Sequence, residues 1–337
     1  MRHFWGVKGV FDITGKIVQK YYTVSLTVVF MGTPEFAVPA LHALLNGDYD
    51  IAAVCTQPDR EAGRGRKLAV SPVKELALSH SIQVIQPESL KDDTATEYMT
   101  GLSPDVIVVA AYGRLIPQRI LSLPQYGCVN IHPSLLPRYR GPSPVATAIL
   151  EGDTVTGVSI MLLDAGMDSG PLLRQQEMAI SDTDTTGSLT VKLADLGAKL
   201  LSETLPEWIA GRITPEPQDE SRATVTRIMT KLDGEIDWQL SATQIWRQVR
   251  AFHPWPGTYT RWKGKQLKVN EVLPFPQEKT GQPGRVIPIS NTSGTPVGVE
   301  CGDGILGLLK LQLEGKKEIT VEEFLRGQRN FTGSILS

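Results

Sequence analysis

VIVVAA at residues 106–111 and CVNIH at residues 128–132 are two short apolar runs, and Pro133 closes the second one. Runs of this length and apolarity are typical of strands that are buried on both faces of a parallel sheet. The second run differs from the first because it carries two polar side chains, Asn130 and His132, toward its carboxyl end. The pair therefore predicts a buried parallel sheet with a polar edge.

Further apolar runs alternate with segments of helical periodicity on both sides of this pair. Such an alternation predicts an α/β fold with a doubly wound, mainly parallel, Rossmann-like sheet. Ligands bind such sheets beyond the carboxyl ends of the strands, where Asn130 and His132 fall. The additional strands are predicted at residues 27–30, 51–55, 156–163 and 172–180, and the helices at residues 34–45, 71–78 (with Ser71 as N-cap) and 185–210.

The sequence changes character after residue 210. GRITPEPQDESRA is polar, rich in proline and without periodicity, which is typical of a linker. Beyond it, a helix at residues 242–252 with Ser241 as N-cap precedes five short strands separated by turns rich in Gly and Pro. Five such strands predict a small β-barrel of the OB type; they are placed at residues 258–262, 266–273, 284–289, 296–301 and 305–313.

These patterns predict four segments. Residues 1–26 form a leader that is disordered or reflects a mis-called start, because they carry neither an apolar signal region nor a cleavage site. Residues 27–210 form the α/β domain, residues 211–224 the linker, and residues 225–332 the OB-like domain.

Composition excludes several classes of protein. The 337 residues, 41% of them hydrophobic with a net charge of -2, are ordinary for a soluble globular protein. No apolar run approaches the roughly 18 residues that span a bilayer, so neither a membrane span nor a membrane partner is predicted. The cysteines form no C-x-x-C pair and the histidines no clustered ligand motif, so neither a disulfide framework nor a metal site is predicted. A cytoplasmic location fits this composition.

The residue types around the strand end suit one kind of chemistry. Asn130 and His132 lie two positions apart on a strand and therefore share a face. LDAGMDSG at residues 163–170 then supplies two carboxylates, Asp164 and Asp168. In the transfer of an acyl-like group to an amine, an amide donor to the developing oxyanion contributes roughly 3 kcal/mol. An imidazole can shuttle a proton, and a carboxylate can orient the imidazole or accept that proton. The residues alone leave open that His132 is a packed residue and that the carboxylates only cap loops.

Longer motifs carry a resemblance to a known family. N-x-H-P-S-L-L-P-x-Y-R-G at residues 130–141, with D-x-G-x-D-x-G at residues 164–170, resembles the 10-formyltetrahydrofolate-dependent formyltransferases. MGTPEFAVPALHALL at residues 31–45 is similar to the methionyl-tRNA formyltransferase branch of that family, as are TQPDREAGRGRKLAVSPVKELA at residues 56–77 and AFHPWPGTYT at residues 251–260. The resemblance runs from about residue 27 to residue 332.

The resemblance implies an activity and its residues. The expected reaction moves the formyl group of 10-formyltetrahydrofolate to the α-amine of methionyl-initiator tRNA, giving N-formylmethionyl-tRNA for translation initiation. The protein is expected to act as a monomer without a metal. By the same resemblance, the catalytic trio is Asn130, His132 and Asp168, and the folate site is lined by Ser134, Leu135, Leu136 and Pro137.

A basic loop, Gly-Arg-Gly-Arg-Lys at residues 63–67, lacks the glycine spacing of phosphate-cradling loops. With the family resemblance, it predicts a tRNA contact through Arg64, Arg66 and Lys67, Arg64 above all. Residues 208–337 carry 17 Lys+Arg against 14 Asp+Glu, which is compatible with contact to phosphates. Most of the tryptophans near these basic residues are predicted to pack in the barrel core; they are Trp238, Trp246, Trp255 and Trp262.

Two alternatives remain open at this point. The first is a folate-dependent formyltransferase acting on a small amine, such as a glycinamide ribonucleotide or an amino sugar nucleotide, because the trio would serve the same chemistry there. The second is a non-catalytic RNA-binding module that uses the C-terminal barrel. The intact trio argues against the second alternative.

Overall fold

The structure is a computed structural model that describes residues 5–11, 17–23, 25–62, 67–276, 278, 281–289 and 295–337. The strands are β1 (Trp5–Phe11), β2 (Ile17–Thr23), β3 (Leu26–Gly32), β4 (Tyr49–Cys55), β5 (Arg60–Ala62), β6 (Lys67–Ala69), β7 (Val84–Ile85), β8 (Val106–Ala110), β9 (Cys128–His132), β10 (Val155–Leu162), β11 (Leu172–Ala179), β12 (Tyr259–Trp262), β13 (Lys265–Phe275), β14 (Val286–Pro288), β15 (Val297–Glu300), β16 (Ile305–Leu313) and β17 (Ile319–Thr320). The α-helices are α1 (Val38–Leu45), α2 (Pro72–Ser79), α3 (Asp93–Leu102), α4 (Gln118–Leu121), α5 (Pro144–Glu151), α6 (Thr186–Ile209), α7 (Ala242–Ala251) and α8 (Val321–Gly327).

The larger sheet has seven strands in the order β11-β10-β9-β8-β3-β4-β7. Strands β9, β8, β3, β4 and β7 pair in parallel, whereas β10 pairs antiparallel to β9. After β3 the chain builds outward through β4 and β7 and then returns to the other side of β3 with β8. The strand order thus reverses beside β3, and such a switch point leaves a crevice beyond the strand ends. The predicted doubly wound, mainly parallel sheet is confirmed.

Burial explains why these segments form central strands. Every residue of β8 and of β9 is buried, so both faces of the sheet are covered. The predicted N-cap of α2 is also present, because the Ser71 side chain accepts a hydrogen bond from the backbone N–H of Lys74.

The C-terminal sheet is antiparallel, with the strand order β12-β13-β16-β15-β14 and β17 paired to β16. All five predicted strands are present, and Ser241 caps α7 as predicted. The pairing of β13 with β16 shifts register on both sides of Glu271, and irregularities of this kind bend a strand and increase its twist. A curled antiparallel sheet of this kind is consistent with the predicted OB-like domain.

The tryptophans of this region divide between core and surface. Trp238 and Trp262 belong to a buried apolar cluster, and Trp246 packs partly buried against it. Trp255 differs, because 54% of its surface is exposed. Packing therefore accounts for three of the four tryptophans.

The chain forms two compact units: residues 1–140, 157–177 and 193–223 make one, and residues 141–156, 178–192 and 224–337 make the other. The boundaries at residues 27–210, 211–224 and 225–332 stay predictions. The segment expected to be a linker is more than a spacer, however. Its Glu216 pairs through the backbone with Leu172, at the edge of the sheet in the first unit.

The leader also differs from expectation. Strands β1 and β2 pair antiparallel within residues 1–26, the segment predicted to be a disordered leader or to reflect a mis-called start, and the mis-called start stays a prediction. The β2 sequence, IVQKYYT, consists mostly of β-branched and aromatic residues, which favour a strand.

Within the part of the chain that the structure describes, no helix combines the length and the apolar character that a membrane crossing requires.

Phe331 tests the packing of the C-terminal core. It is fully buried, with its ring centroid 5.2 Å from that of Trp262 and 4.9 Å from that of Phe324. We expect Phe331→Ala to lower the free energy of unfolding by roughly 3–5 kcal/mol, because a buried ring leaves a cavity. Urea denaturation followed by tryptophan fluorescence measures the loss. As the control, Leu232→Ala removes a side chain that is 75% exposed and should change stability by about 0.5 kcal/mol or less. Equal effects of the two substitutions would contradict this account of the core.

Candidate active site

The polar edge of the sheet is formed by the end of β9. Asn130 and His132 are only 7% and 4% exposed, although most residues buried to this degree are apolar. The Asn130 side chain makes no hydrogen bond within the described part of the chain. The Asn130 amide is not among the fully buried side-chain groups without a partner, so it keeps some accessible surface where a ligand can supply an acceptor.

The His132 ring is oriented by its own loop. Its Nε2 atom lies 2.9 Å from the backbone oxygen of Tyr139, seven residues later. A carbonyl oxygen can only accept a hydrogen bond, so Nε2 must carry the hydrogen. Tyr139 presents this oxygen from a left-handed backbone conformation with φ of 60°.

The other ring nitrogen faces Asp168. His132 Nδ1 lies 3.6 Å from Asp168 Oδ2, and the Asp168 side chain is 18% exposed. This separation is too long for a direct hydrogen bond. With the hydrogen on Nε2, a neutral ring turns the lone pair of Nδ1 toward the carboxylate, so two acceptors face each other. A hydrogen-bond donor of a ligand placed in this gap would therefore find an acceptor on either side.

The two carboxylates in the loop after β10 have different contacts. Asp164 Oδ1 accepts hydrogen bonds from the Gly166 N–H at 3.0 Å and from the Ser169 hydroxyl at 2.9 Å, so Asp164 holds the turn. Asp168 instead faces His132 from a backbone with φ of 50°. Gly170 ends the loop where a Cβ atom would overlap the Leu162 carbonyl oxygen. The sequence left open that both carboxylates only cap loops, and the contacts of Asp164 fit that alternative.

The loop after β9 is held in place by hydrogen bonds to side chains of β10 and β11. The Ser159 hydroxyl donates to the Ser134 carbonyl at 2.6 Å and accepts from the Leu136 N–H at 3.0 Å. Gln175 Nε2 donates to the Leu136 carbonyl at 2.8 Å and to the Ser159 hydroxyl at 2.7 Å. These bonds satisfy the polar backbone of the loop and make it rigid.

The predicted folate residues lie in this loop with different surroundings. The Ser134 hydroxyl donates to the Arg138 carbonyl at 2.7 Å and is fully buried. Leu136 and Pro137 are buried as well, while Leu135 is half-buried. Leu135 and the loop backbone are thus the parts that a ligand could reach, and the others shape the loop.

The basic loop falls largely outside the described residues. Arg64 and Arg66 lie there, and Lys67 is described only as the backbone start of β6, which pairs antiparallel with β5. The start of this hairpin is anchored next to Asp59, whose carboxylate accepts from Lys74 Nζ at 2.6 Å and from Gln86 Nε2 at 2.8 Å. The hydrogen bond from Lys74 lowers the pKa of Asp59, which keeps this anchor ionised.

The cysteines do not offer a nucleophile. Burial raises the pKa of Cys55 to about 11 and the pKa values of Cys128 and Cys301 to about 12. All three thiols are therefore protonated at neutral pH, and a thiol is a far weaker nucleophile than a thiolate. Among the described residues, no group of three or more His, Cys, Asp or Glu side chains is arranged to hold a metal ion.

Sequence reasoning missed three residues that support the site. Ser159 had a usable signal, because it is a polar residue in the otherwise apolar centre of β10, VTGVSIML. Gln175 and Gln218 had none, since each is one polar residue among others. Gln218 donates to the Asp168 carbonyl at 2.8 Å from a segment fifty positions away.

The sequence was compared with protein families and with curated proteins. Residues 26–205 match the family described as formyl transferase, and residues 228–329 match the formyl transferase C-terminal domain. The methionyl-tRNA formyltransferase of Chloroflexus aurantiacus is 48% identical over 302 residues, which cover 90% of this chain and 97% of the relative. That of Caldanaerobacter subterraneus is 44% identical over 312 residues, covering 92% of this chain and 100% of the relative.

Solved structures share the fold at low identity. An N-formyltransferase from Helicobacter canadensis, in complex with folinic acid and dTDP-3-aminofucose, has a TM-score of 0.62 at 18% identity, covering 84% of this chain and 99% of its own. HypX from Aquifex aeolicus, in complex with tetrahydrofolic acid, has a TM-score of 0.59 at 16% identity, covering 92% of this chain and 48% of its own. From the family matches and the curated relatives, the chain belongs to the formyl transferase family and, within it, to the methionyl-tRNA formyltransferases.

Proposed function

We propose that this protein transfers the formyl group of 10-formyltetrahydrofolate to the α-amine of methionyl-initiator tRNA and so makes N-formylmethionyl-tRNA for translation initiation. The curated relatives that bear the name of this activity match over nearly their whole length. The observation that carries the proposal is the imidazole of His132 facing the Asp168 carboxylate at 3.6 Å, beside the unpartnered amide of Asn130.

In the proposed reaction, the neutral methionyl amine attacks the formyl carbon, and the carbonyl oxygen becomes anionic. The Asn130 amide is the donor for this oxygen, and it needs no other bond to be broken first. A preorganised donor of this kind lowers the barrier by roughly 3 kcal/mol. Orientation of the two substrates supplies the remaining advantage, so the mechanism has no covalent enzyme intermediate.

The proton of the attacking amine moves to the gap between His132 and Asp168. Nε2 stays bonded to the Tyr139 carbonyl, so Nδ1 is the nitrogen that takes part in the transfer. The adjacent carboxylate stabilises the imidazolium that results. The bond between the formyl carbon and the folate nitrogen then breaks, and that nitrogen leaves after accepting a proton. The products are the formylated amine and tetrahydrofolate.

The folate is proposed to lie against the loop of Ser134, Leu135, Leu136 and Pro137. Its hydrogen bonds to Ser159 and Gln175 keep that loop rigid, and a rigid loop holds a donor at a fixed distance from the acceptor amine. Leu135 offers the apolar contact, because it is the member of the set with side-chain surface left to cover.

Substitutions in the trio test the mechanism. We expect Asn130→Ala to lower kcat by roughly 100- to 1,000-fold, as loss of one oxyanion donor does in other enzymes. We expect His132→Ala and Asp168→Asn each to lower kcat by at least roughly 100-fold, because both remove the proton acceptor. The measurement is transfer of radiolabelled formyl to charged initiator tRNA.

Asp164→Asn is the matched control for Asp168→Asn. Asp164 lies in the same loop, and an Asn oxygen at this position can still accept from the Gly166 N–H. We expect its kcat to stay within about threefold of the wild type, since Asp164 only shapes the turn. If Asp168→Asn turned over as fast as Asp164→Asn, the assigned role of Asp168 would be wrong.

The identity of the acceptor needs a separate experiment. Purified protein is offered charged initiator tRNA, glycinamide ribonucleotide or dTDP-3-aminofucose, each with 10-formyltetrahydrofolate. We expect kcat/KM for the tRNA to exceed that for either small amine by at least roughly 1,000-fold, because a tRNA offers far more binding surface remote from the reacting atoms than either small amine does. Faster transfer to a small amine would move the protein to the other branch of the family.

Arg64, Arg66 and Lys67 are proposed to bind tRNA phosphates, with Arg64 as the main contact. Loss of one phosphate contact reduces the dependence of log K on log salt by roughly 0.7 to 0.9. We therefore expect Arg64→Ala to weaken tRNA binding and to flatten the salt dependence by about that amount. Filter binding between 50 and 300 mM KCl measures both quantities. The control is Lys91→Ala, an exposed cation outside the loop, and an equal effect of both substitutions would refute a specific contact.

We also propose that the protein works as a monomer in the cytoplasm, where its proposed partner, charged tRNA, is used. Analytical ultracentrifugation at assay concentration checks the first part, and a dimer would correct it.

A further inference from the structure

The segment predicted as a linker carries one buried polar side chain, Gln218. Its Nε2 atom donates to the backbone oxygens of Asp168 at 2.8 Å and of Gly170 at 2.7 Å. Its Oε1 atom accepts from Arg140 Nε at 3.0 Å and from Arg140 Nη2 at 2.9 Å. Gln218 is only 9% exposed, so these bonds are sheltered from water.

This arrangement requires an amide. The guanidinium of Arg140 presents only donors, and the carbonyls of Asp168 and Gly170 present only acceptors. A primary amide offers an acceptor on one side and two donors on the other, and so it satisfies both neighbours at once. A carboxylate would repel the two carbonyls, and an ammonium group would have no acceptor for the arginine.

The two carbonyls that accept hydrogen bonds from Gln218 belong to Asp168 and Gly170, on either side of Ser169. Fixing the Asp168 carbonyl fixes the rotation of its backbone, which is already held in the sparsely populated left-handed region. The direction of the Asp168 side chain toward His132 depends on that backbone. A displacement of about 1 Å at such a group can cost roughly 100-fold in rate.

Arg140 ties this bridge to the sequence motif of the site. It is the arginine that directly follows Tyr139, and it is 6% exposed. It also pairs with Glu220, at 2.7 Å between Nη2 and Oε1. The hydrogen bond with Glu220 raises the pKa of Arg140, so the guanidinium stays charged.

We propose that Gln218, held by Arg140, is a positioning residue for Asp168. This inference rests on the proposed function, because it assumes that Asp168 takes part in formyl transfer. The four hydrogen bonds of the Gln218 side chain all go to protein groups, so its proposed effect on the reaction passes through Asp168.

The test exchanges an amide and a carboxyl group at two neighbouring positions. Gln218→Glu keeps the size of the side chain and its contact to Arg140, but it turns an acceptor toward both carbonyls. Asp219→Asn is the control, since Asp219 is exposed and caps only Ser221 in the same segment. We expect Gln218→Glu to lower kcat by roughly 10- to 100-fold with the KM for tRNA and for folate within about twofold of the wild type, and we expect Asp219→Asn to leave kcat unchanged.

A second measurement separates positioning from a general loss of structure. Single-turnover rates with excess enzyme are compared for Gln218→Glu, Asp168→Asn and the double variant. If Gln218 acts through Asp168, its substitution adds less than about twofold once the carboxylate is gone, because residues that act as a unit are not additive. The same 10- to 100-fold loss in both backgrounds would overturn the proposal, as would a normal kcat for Gln218→Glu.

The failures of the two proposals can be told apart. An inactive wild type, or a fully active Asp168→Asn variant, would remove the proposed function. An active wild type with an impaired Asp168→Asn variant and an unimpaired Gln218→Glu variant would leave that function in place and remove only the role of Gln218. The Tm of each variant is measured as well. If Asp219→Asn lowered both Tm and kcat, the loss of kcat in Gln218→Glu would reflect instability of the segment, which would count against a positioning role.

Discussion

The hydrogen bond from His132 Nε2 to the Tyr139 carbonyl determines what the rest of the site can do. In this bond Nε2 fixes the orientation of the ring, and the other nitrogen, Nδ1, faces Asp168. Without this bond the ring could rotate, and neither tautomer nor direction would be defined. Because the loop that supplies the acceptor also follows directly from the strand carrying His132, the histidine and its orienting group move as one piece.

Two backbone strains accompany this arrangement. Tyr139 and Asp168 both have left-handed backbone conformations, with φ of 60° and 50°. For residues other than glycine, such conformations cost of order 1–3 kcal/mol each and persist only where their surroundings enforce them. Ser159 and Gln175 hold the loop that precedes Tyr139 through the carbonyls of Ser134 and Leu136, and Gln218 holds the carbonyl of Asp168 itself. The bond from Ser159 is buried and those from Gln175 and Gln218 are partly buried, so water competes little for them.

The sheet and the strand end could be predicted because their signal is local. Apolar runs of four to eight residues bounded by turn residues indicate buried strands, and Asn130 and His132 were visible as polar residues in such a run. The role of Gln218 could not be predicted in this way, because its bond to Asp168 joins residues 50 positions apart. Nothing in a polar, proline-rich segment distinguishes an amide that meets solvent from one that meets two carbonyls. The pairing of β1 with β2 does have a local signal, because the β2 sequence IVQKYYT is rich in β-branched and aromatic residues.

The trio recognises only a formyl group and an amine, which every acceptor in the family would offer. Selection of a tRNA must therefore come from contacts remote from the reacting carbon, and charge is the simplest means. Lys74 near the start of the β5–β6 hairpin is neutralised by Asp59. The positive charge that remains for a phosphate in this part of the chain comes from Arg60, whose partner is the neutral amide of Gln57, and from the basic residues at positions 63–67. Salt screens such surface charges but hardly affects a buried donor such as Asn130. Ionic strength should therefore raise KM for the tRNA while leaving kcat almost constant, because recognition and chemistry depend on different electrostatic environments.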